Sequence, residues 1–272
     1  MNNLRFEISY KSYDQLRTIL NFYKNNSIYR INIPCKNTLK RDFLLNSIRI
    51  TREEFPKLDV IPHFSILHEF RRNSLNTRSY LNQFLQVVKY LGCTQILLIS
   101  GSQKRSTLDS VSALSFLKEN QLFSNSNFSI GVAFNPYLPS PMFEEEMIRL
   151  ENKLKSGIVK SIWIQFGTEI KLFESRIKIL KKIILSTIKT DSNLVDIKLF
   201  GSILIPSRQF LARFKYRPWK GVYCSSDFLD SVDFANNFII ELLEAYKHEN
   251  ICPIIETNIV TQEQLNSLNM FF

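Results

Sequence analysis

Eight short apolar runs of β type punctuate the chain, most of them separated by roughly 25 to 36 residues. They are LRFEIS (4–9), YRINIP (29–34), DVIPHFS (59–65), QILLIS (95–100), SIGVAFN (129–135), SIWIQF (161–166), IKLFGSILI (197–205) and ICPIIETN (251–258). Runs of this length, near-continuously apolar, are what a strand buried on both faces requires. Between them lie segments with apolar residues at helical spacing: 13–25, 77–92, 143–157, 172–188 and 234–249. Gly92 and Gly157 fall where two of these helices should stop. Eight strands alternating with helices predict a single (β/α)8 barrel over residues 1–272. An open doubly wound sheet would want a glycine-rich loop after its first strand, and SYKSYD (9–14) has no glycine. The long stretch between the seventh and eighth strands, including PSRQFLARFKYRPWKGVY (206–223), predicts an extra helical segment before the closing strand.

Most of the runs carry one polar residue where an apolar one belongs: Glu7, Asn32, His63, Asn135 and Gln165. In a barrel the C-terminal strand ends build the active site, so these residues are candidates for one shared pocket. Glu7 suits a general acid, or a carboxylate paired with a cation of the pocket. His63 reads equally as a hydrogen-bonded core imidazole. Gln165 and Asn135 each offer donors and acceptors that read a planar heterocycle or tie down a loop. Ser100-Gly101-Ser102 offers backbone N–H groups to an anion. Lys153 could reach a phosphate or carboxylate, or stand in solvent.

The 272 residues are 44% hydrophobic, enough for a core, and no run approaches the ~20 apolar residues of a membrane helix. MNNLRFEISY lacks the charged and apolar regions of a signal peptide, so a cytoplasmic protein is expected, or one of the mitochondrial matrix. Cys35, Cys93, Cys224 and Cys252 are scattered without a CxxC, which predicts buried thiols, no zinc site and a reducing compartment. The net charge of +10 suits a basic surface, an anionic ligand or an acidic partner. Nothing in the sequence interleaves the charges with aromatics in a compact patch, and IKILKKIILSTIK (177–189) reads as the basic outer face of an amphipathic helix, so nucleic acid is not expected as a partner.

In order along the chain, these segments resemble the methylenetetrahydrofolate reductase family. RFEIS resembles its first-strand motif, INIP its second, and IPHFS its PHLT motif. GVAFNPYLP (131–139), RLENKLKSG (149–157), SIWIQFG (161–167) and FGSILIPSRQFLARF (200–214) resemble the fifth strand, its helix, the sixth strand and the segment after the seventh. The resemblance implies that Glu7 is the general acid. It implies that Gln165 contacts folate and nicotinamide, and that His63 and Lys153 lie in a flavin site. It further implies a folate substrate, FAD, NAD(P)H as co-substrate and a homo-oligomer or larger complex. The chain departs from the family after the fourth strand. RGD or TGD becomes Ser100-Gly101-Ser102, which replaces the aspartate by Ser102, and HPE is not visible in YLPSP (137–141). A folate-binding or structural subunit, and a reductase working without flavin, are therefore expected alternatives.

Overall fold

The structure, a computed structural model, describes residues 4–35, 41–69, 74–100, 108–119, 123, 127–190 and 196–272. Eight strands close into a barrel in sequence order: β1 (Arg5–Glu7), β2 (Arg30–Ile33), β3 (Asp59–Ser65), β4 (Gln95–Ile99), β5 (Ser129–Phe134), β6 (Val159–Ile164), β7 (Lys198–Ile203) and β8 (Ile251–Ile255). Every neighbouring pair is parallel, including β1 with β8. Helices cross between them: α1 (Tyr13–Asn25), α2 (Arg41–Glu54), the short α3 (Ile66–Glu69), α4 (Ser74–Tyr90), α5 (Ser110–Lys118), α6 (Ser140–Leu154) and α7 (Ile170–Thr190). Between β7 and β8 come three helices, α8 (Arg208–Tyr216), α9 (Ser226–Asp230) and α10 (Val232–His248), and α11 (Gln262–Ser267) follows the last strand. The expected insertion is thus α8 and α9. Gly92 and Gly157 end α4 and α6 with φ of +79° and +77°, the left-handed turn that glycine takes without a Cβ clash.

Strand alternation sorts the side chains into two layers. Outward residues such as Phe6, Ile31, Phe64, Ile96, Val132, Ile162 and Ile255 pack under the helices in the main core. Each fully buried phenylalanine there contributes about 1.5–3 kcal/mol. Inward residues Ile61, Leu97, Trp163 and Ile254, with Ile99 and Phe200 against them, fill the barrel. Glycine makes room for the largest of these: a Cβ on Gly131 would lie 2.4 Å from Trp163 Nε1. Below them Arg5, 4% exposed, plugs the barrel with an ion pair to Asp59. Cys35 and Cys93 are buried and Cys224 half-buried, whereas Cys252, expected inside, is exposed at the start of β8. Among the described residues no helix is long and apolar enough to cross a membrane.

Burial raises the phenol pKa values of Tyr10, Tyr23, Tyr137 and Tyr246 above the ordinary value of about 10. Once the pH passes that unfolded value the folded chain holds protons that the unfolded chain has lost. This stabilisation is complete below about pH 10 and falls above it. The melting temperature should therefore drop above pH 10, with phenolate absorbance from these four lagging until the chain unfolds. Ionisation of all 10 tyrosines ahead of unfolding would contradict their burial.

Candidate active site

The polar intruders of the strands divide into two groups once their partners are seen. Glu7 and His63 come together across the barrel mouth. His63 Nδ1 lies 3.9 Å from Glu7 Oε2, and the His63 side chain is 6% exposed against 18% for Glu7. The imidazole meets the indole of Trp163 edge to face, with centroids 6.2 Å apart. Trp163 is fixed in turn by stacking on Phe200 and by donating from Nε1 to Ser161 Oγ at 2.8 Å. The floor of the mouth is therefore aromatic and rigid. Gln165 follows Ile164, which faces the outer core, so alternation puts Gln165 on the inner side of β6. Its Oε1 accepts from the Phe166 N–H at 2.9 Å.

Glu256 and Ser202 complete this mouth, and the sequence did not single them out. The β1–β8 register pairs Phe6 with Ile255, so the next residues, Glu7 and Glu256, stand at one level on adjacent strands. Ser202 Oγ donates to Glu256 Oε1. Ser202 is held from behind, because Tyr246 of α10 donates its hydroxyl to the Ser202 carbonyl at 3.1 Å. That ring fits only beside glycine: a Cβ on Gly201 would lie 2.2 Å from Tyr246 Cε2. The signal for Glu256 was present, since it is a carboxylate ending an apolar run, as Glu7 is.

The second group serves the wall. Asn32, 1% exposed, is a partner of the barrel plug, accepting from Arg5 Nη1 at 3.4 Å. Asn135, expected at a cofactor, donates from Nδ2 to the Gly221 carbonyl at 2.7 Å and accepts the Tyr137 N–H at 3.0 Å. It ties the end of β5 to the loop after α8. Lys153, also expected at a cofactor, is 4% exposed. Its Nζ donates to the Ala133 carbonyl at 3.2 Å and to Glu146 Oε1 at 3.3 Å. Burial lowers its pKa, and the Glu146 carboxylate partly offsets that. A lysine on the inner face of α6 cannot leave its ammonium bare in the wall, so carbonyl and carboxylate enclose it. Gly101 and Ser102 lie outside the described residues. Ser100 instead closes α5, donating to Ser110 Oγ at 2.8 Å and accepting the Ser110 N–H at 2.9 Å.

A groove of about 720 Å³ lies elsewhere, on the outer surface, lined by residues of α4, α5 and α6 such as Arg78, Phe116 and Arg149. Arg149 pairs there with Asp109 at 3.2 Å. Burial alone would raise the Asp109 carboxyl, but hydrogen bonds from Ser112 and the Arg149 charge hold it below the usual range. Among the described residues no three His, Cys, Asp or Glu side chains gather as metal ligands.

No protein-family model and no curated protein sequence matches the chain. Solved structures do. An aldo-keto reductase from Klebsiella pneumoniae in complex with NADPH is 8% identical, over 99% of this chain and 85% of that one, with a TM-score of 0.53. A native KDPGal structure is 12% identical over 90% and 95% of the two chains, with a TM-score of 0.43. A putative dihydrodipicolinate synthase family protein from Coccidioides immitis is 13% identical over 90% and 72%, at 0.41. At these identities the likeness to the reductase establishes the shared barrel fold, and the two lower scores add nothing to it.

Proposed function

We propose that the barrel mouth is the active site of a nicotinamide-dependent reductase of the methylenetetrahydrofolate reductase type, interconverting methylenetetrahydrofolate and methyltetrahydrofolate. The observation that carries this reading is Glu7 of β1 facing His63 of β3 at 3.9 Å above an aromatic floor. An acid and an imidazole from two strands converge where a barrel does its chemistry. The sequence resemblance supplies the substrate class, and the net charge of +10 suits a substrate with a carboxylate tail.

In this reading Glu7 gives its proton to N10 of the substrate, and the bond from N10 to the bridging methylene breaks with its electron pair going to nitrogen. The methylene is left as an iminium on N5. Hydride from the dihydronicotinamide adds to that carbon, giving the N5 methyl group and oxidised nicotinamide. Solvent returns the proton to Glu7. His63 holds the Glu7 carboxyl against the mouth. Gln165, with one donor and one acceptor group, orients the pterin edge and then the nicotinamide amide.

Lys153, which the resemblance gives to a flavin, and Asn135 of the neighbouring strand end are both engaged by other groups. The Lys153 ammonium is enclosed by Glu146 and Ala133, and the Asn135 amide bonds backbone at both ends. The hydride in this reading therefore passes directly between nicotinamide and folate, without FAD. The same commitment favours a second reading, a folate-binding subunit without turnover.

Purified protein given methylenetetrahydrofolate and NADH or NADPH should oxidise one nicotinamide per methyl group formed while remaining colourless. Folate binding without turnover would select the second reading. Failure to bind folate at all would sink both, and a yellow protein carrying FAD would overturn the direct hydride route.

A further inference from the structure

The insertion between β7 and β8 carries a surface that the barrel chemistry leaves unused. From Ile205 to Ser226 the chain has five cations, Arg208, Arg213, Lys215, Arg217 and Lys220, and no acid. Lys215 is engaged by Asp230 of α9. Arg208, Arg213, Arg217 and Lys220 are exposed. Interleaved with them are three exposed rings: Tyr216 at 90%, Trp219 at 45% and Tyr223 at 36%.

Folding turns this interleaving into a face. Helical spacing places Gln209, Arg213 and Tyr216 on one stripe of α8 and Phe210 and Phe214 on the next. Trp219 returns onto that second stripe, meeting both phenylalanine rings edge-on at 5.8 Å. The indole is pinned by its edge contacts while much of it stays open to solvent. The loop that carries it is anchored to the barrel. Gly221 accepts from Asn135, Tyr223 pairs with Gly167, and the Ser225 N–H donates to Thr168 Oγ1 at 2.6 Å. These anchors make the face a preformed platform.

We propose that this face binds single-stranded nucleic acid. Four cations set among exposed rings suit phosphates along a strand whose unpaired bases stack on the tyrosine and tryptophan faces. An acidic peptide would match the charge but has no base to place on three open rings. A duplex keeps its bases stacked on one another. The expectation against nucleic acid rested on the charges of the whole chain lacking a compact patch interleaved with aromatics. The α8 face differs because the chain folds Trp219 back over the helix.

The test uses the whole chain and short labelled oligo(U) and oligo(dT), read by fluorescence anisotropy. Both should bind with similar affinity, because stacking and phosphate contacts do not read the sugar 2′-hydroxyl. Affinity should fall with salt at a log–log slope near −3, from about 0.7 per phosphate over four cations. Trp219→Ala should weaken binding by about 5- to 150-fold, the range for losing one stacked base. Arg213→Gln with Arg217→Gln should flatten the slope by about 1.4. The three positions in these variants are exposed, and circular dichroism confirms that the variants fold. Absence of saturable binding overturns the proposal. So does an affinity indifferent to Trp219→Ala, or equal binding of duplex or of polyglutamate; the last would make this an acidic-protein surface.

Discussion

Glu7→Gln should lower folate turnover by about 10²–10⁴-fold, the usual contribution of a positioned acid, with folate affinity nearly unchanged. Glutamine keeps the size of the side chain and can still face His63 Nδ1, which lies 3.9 Å from the carboxylate. What it lacks is the proton that opens the ring. The loss should therefore fall on kcat and leave KM almost where it was. Steady-state kinetics and equilibrium dialysis of the folate separate the two. If binding and turnover fall together, Glu7 is a structural carboxylate of the mouth. If neither falls, the chemistry lies elsewhere.

Asp59→Ala should cost about 3 kcal/mol of stability, the low end for stripping a buried cation of its partner, because Asp59 itself is half exposed. Arg5 sits inside the barrel, where burial lowers its pKa and the Asp59 carboxylate opposes that. Its guanidinium donates to Asp59 Oδ2, to the Ile31 carbonyl at 2.9 Å and to the Asp59 carbonyl at 3.3 Å. It also lies 6.0 Å from the Phe200 ring that stacks on Trp163. Truncating Asp59 leaves those backbone acceptors but removes the charge that compensates Arg5. Adding Arg5→Met should recover most of the loss, since an apolar side chain of similar volume needs no counterion. Urea unfolding of the parent, the Asp59→Ala variant and the double variant measures both effects. A single Asp59→Ala variant within about 0.5 kcal/mol of the parent would mean that the plug is solvated rather than dry.

The strands were legible because burial on both faces leaves little choice of residue: seven of the eight runs contain a strand of the barrel, and the sixth overlaps β6, which starts two residues earlier. The helices α2 and α5 were harder to read. The stretch 41–54 mixes Asn, Ser and Thr into its apolar stripe, and α5 begins in LDSVS, where Asp109 and Ser112 form a capping box. Within the site the sequence marked Glu7, His63 and Gln165 by the same rule that marked Asn32 and Asn135, a polar group where an apolar one belongs, and marked Lys153 as a cation within reach of an anion. That rule finds buried polar side chains without telling what they bond. Asn32 and Lys153 satisfy the wall, Asn135 satisfies a loop, and only partners distant in sequence reveal it.

Order, spacing and polarity along the chain thus determined a closed eight-stranded barrel, its insertion before β8 and the presence of polar groups on the strands. These follow from local rules of burial and periodicity. Tertiary structure alone decided which polar groups share the mouth, that Glu256 stands beside Glu7, and that Trp219 lies over α8. Each of these depends on strand register or on a chain reversal. A one-residue slip of register would turn every inward group outward, so no single run could have settled them.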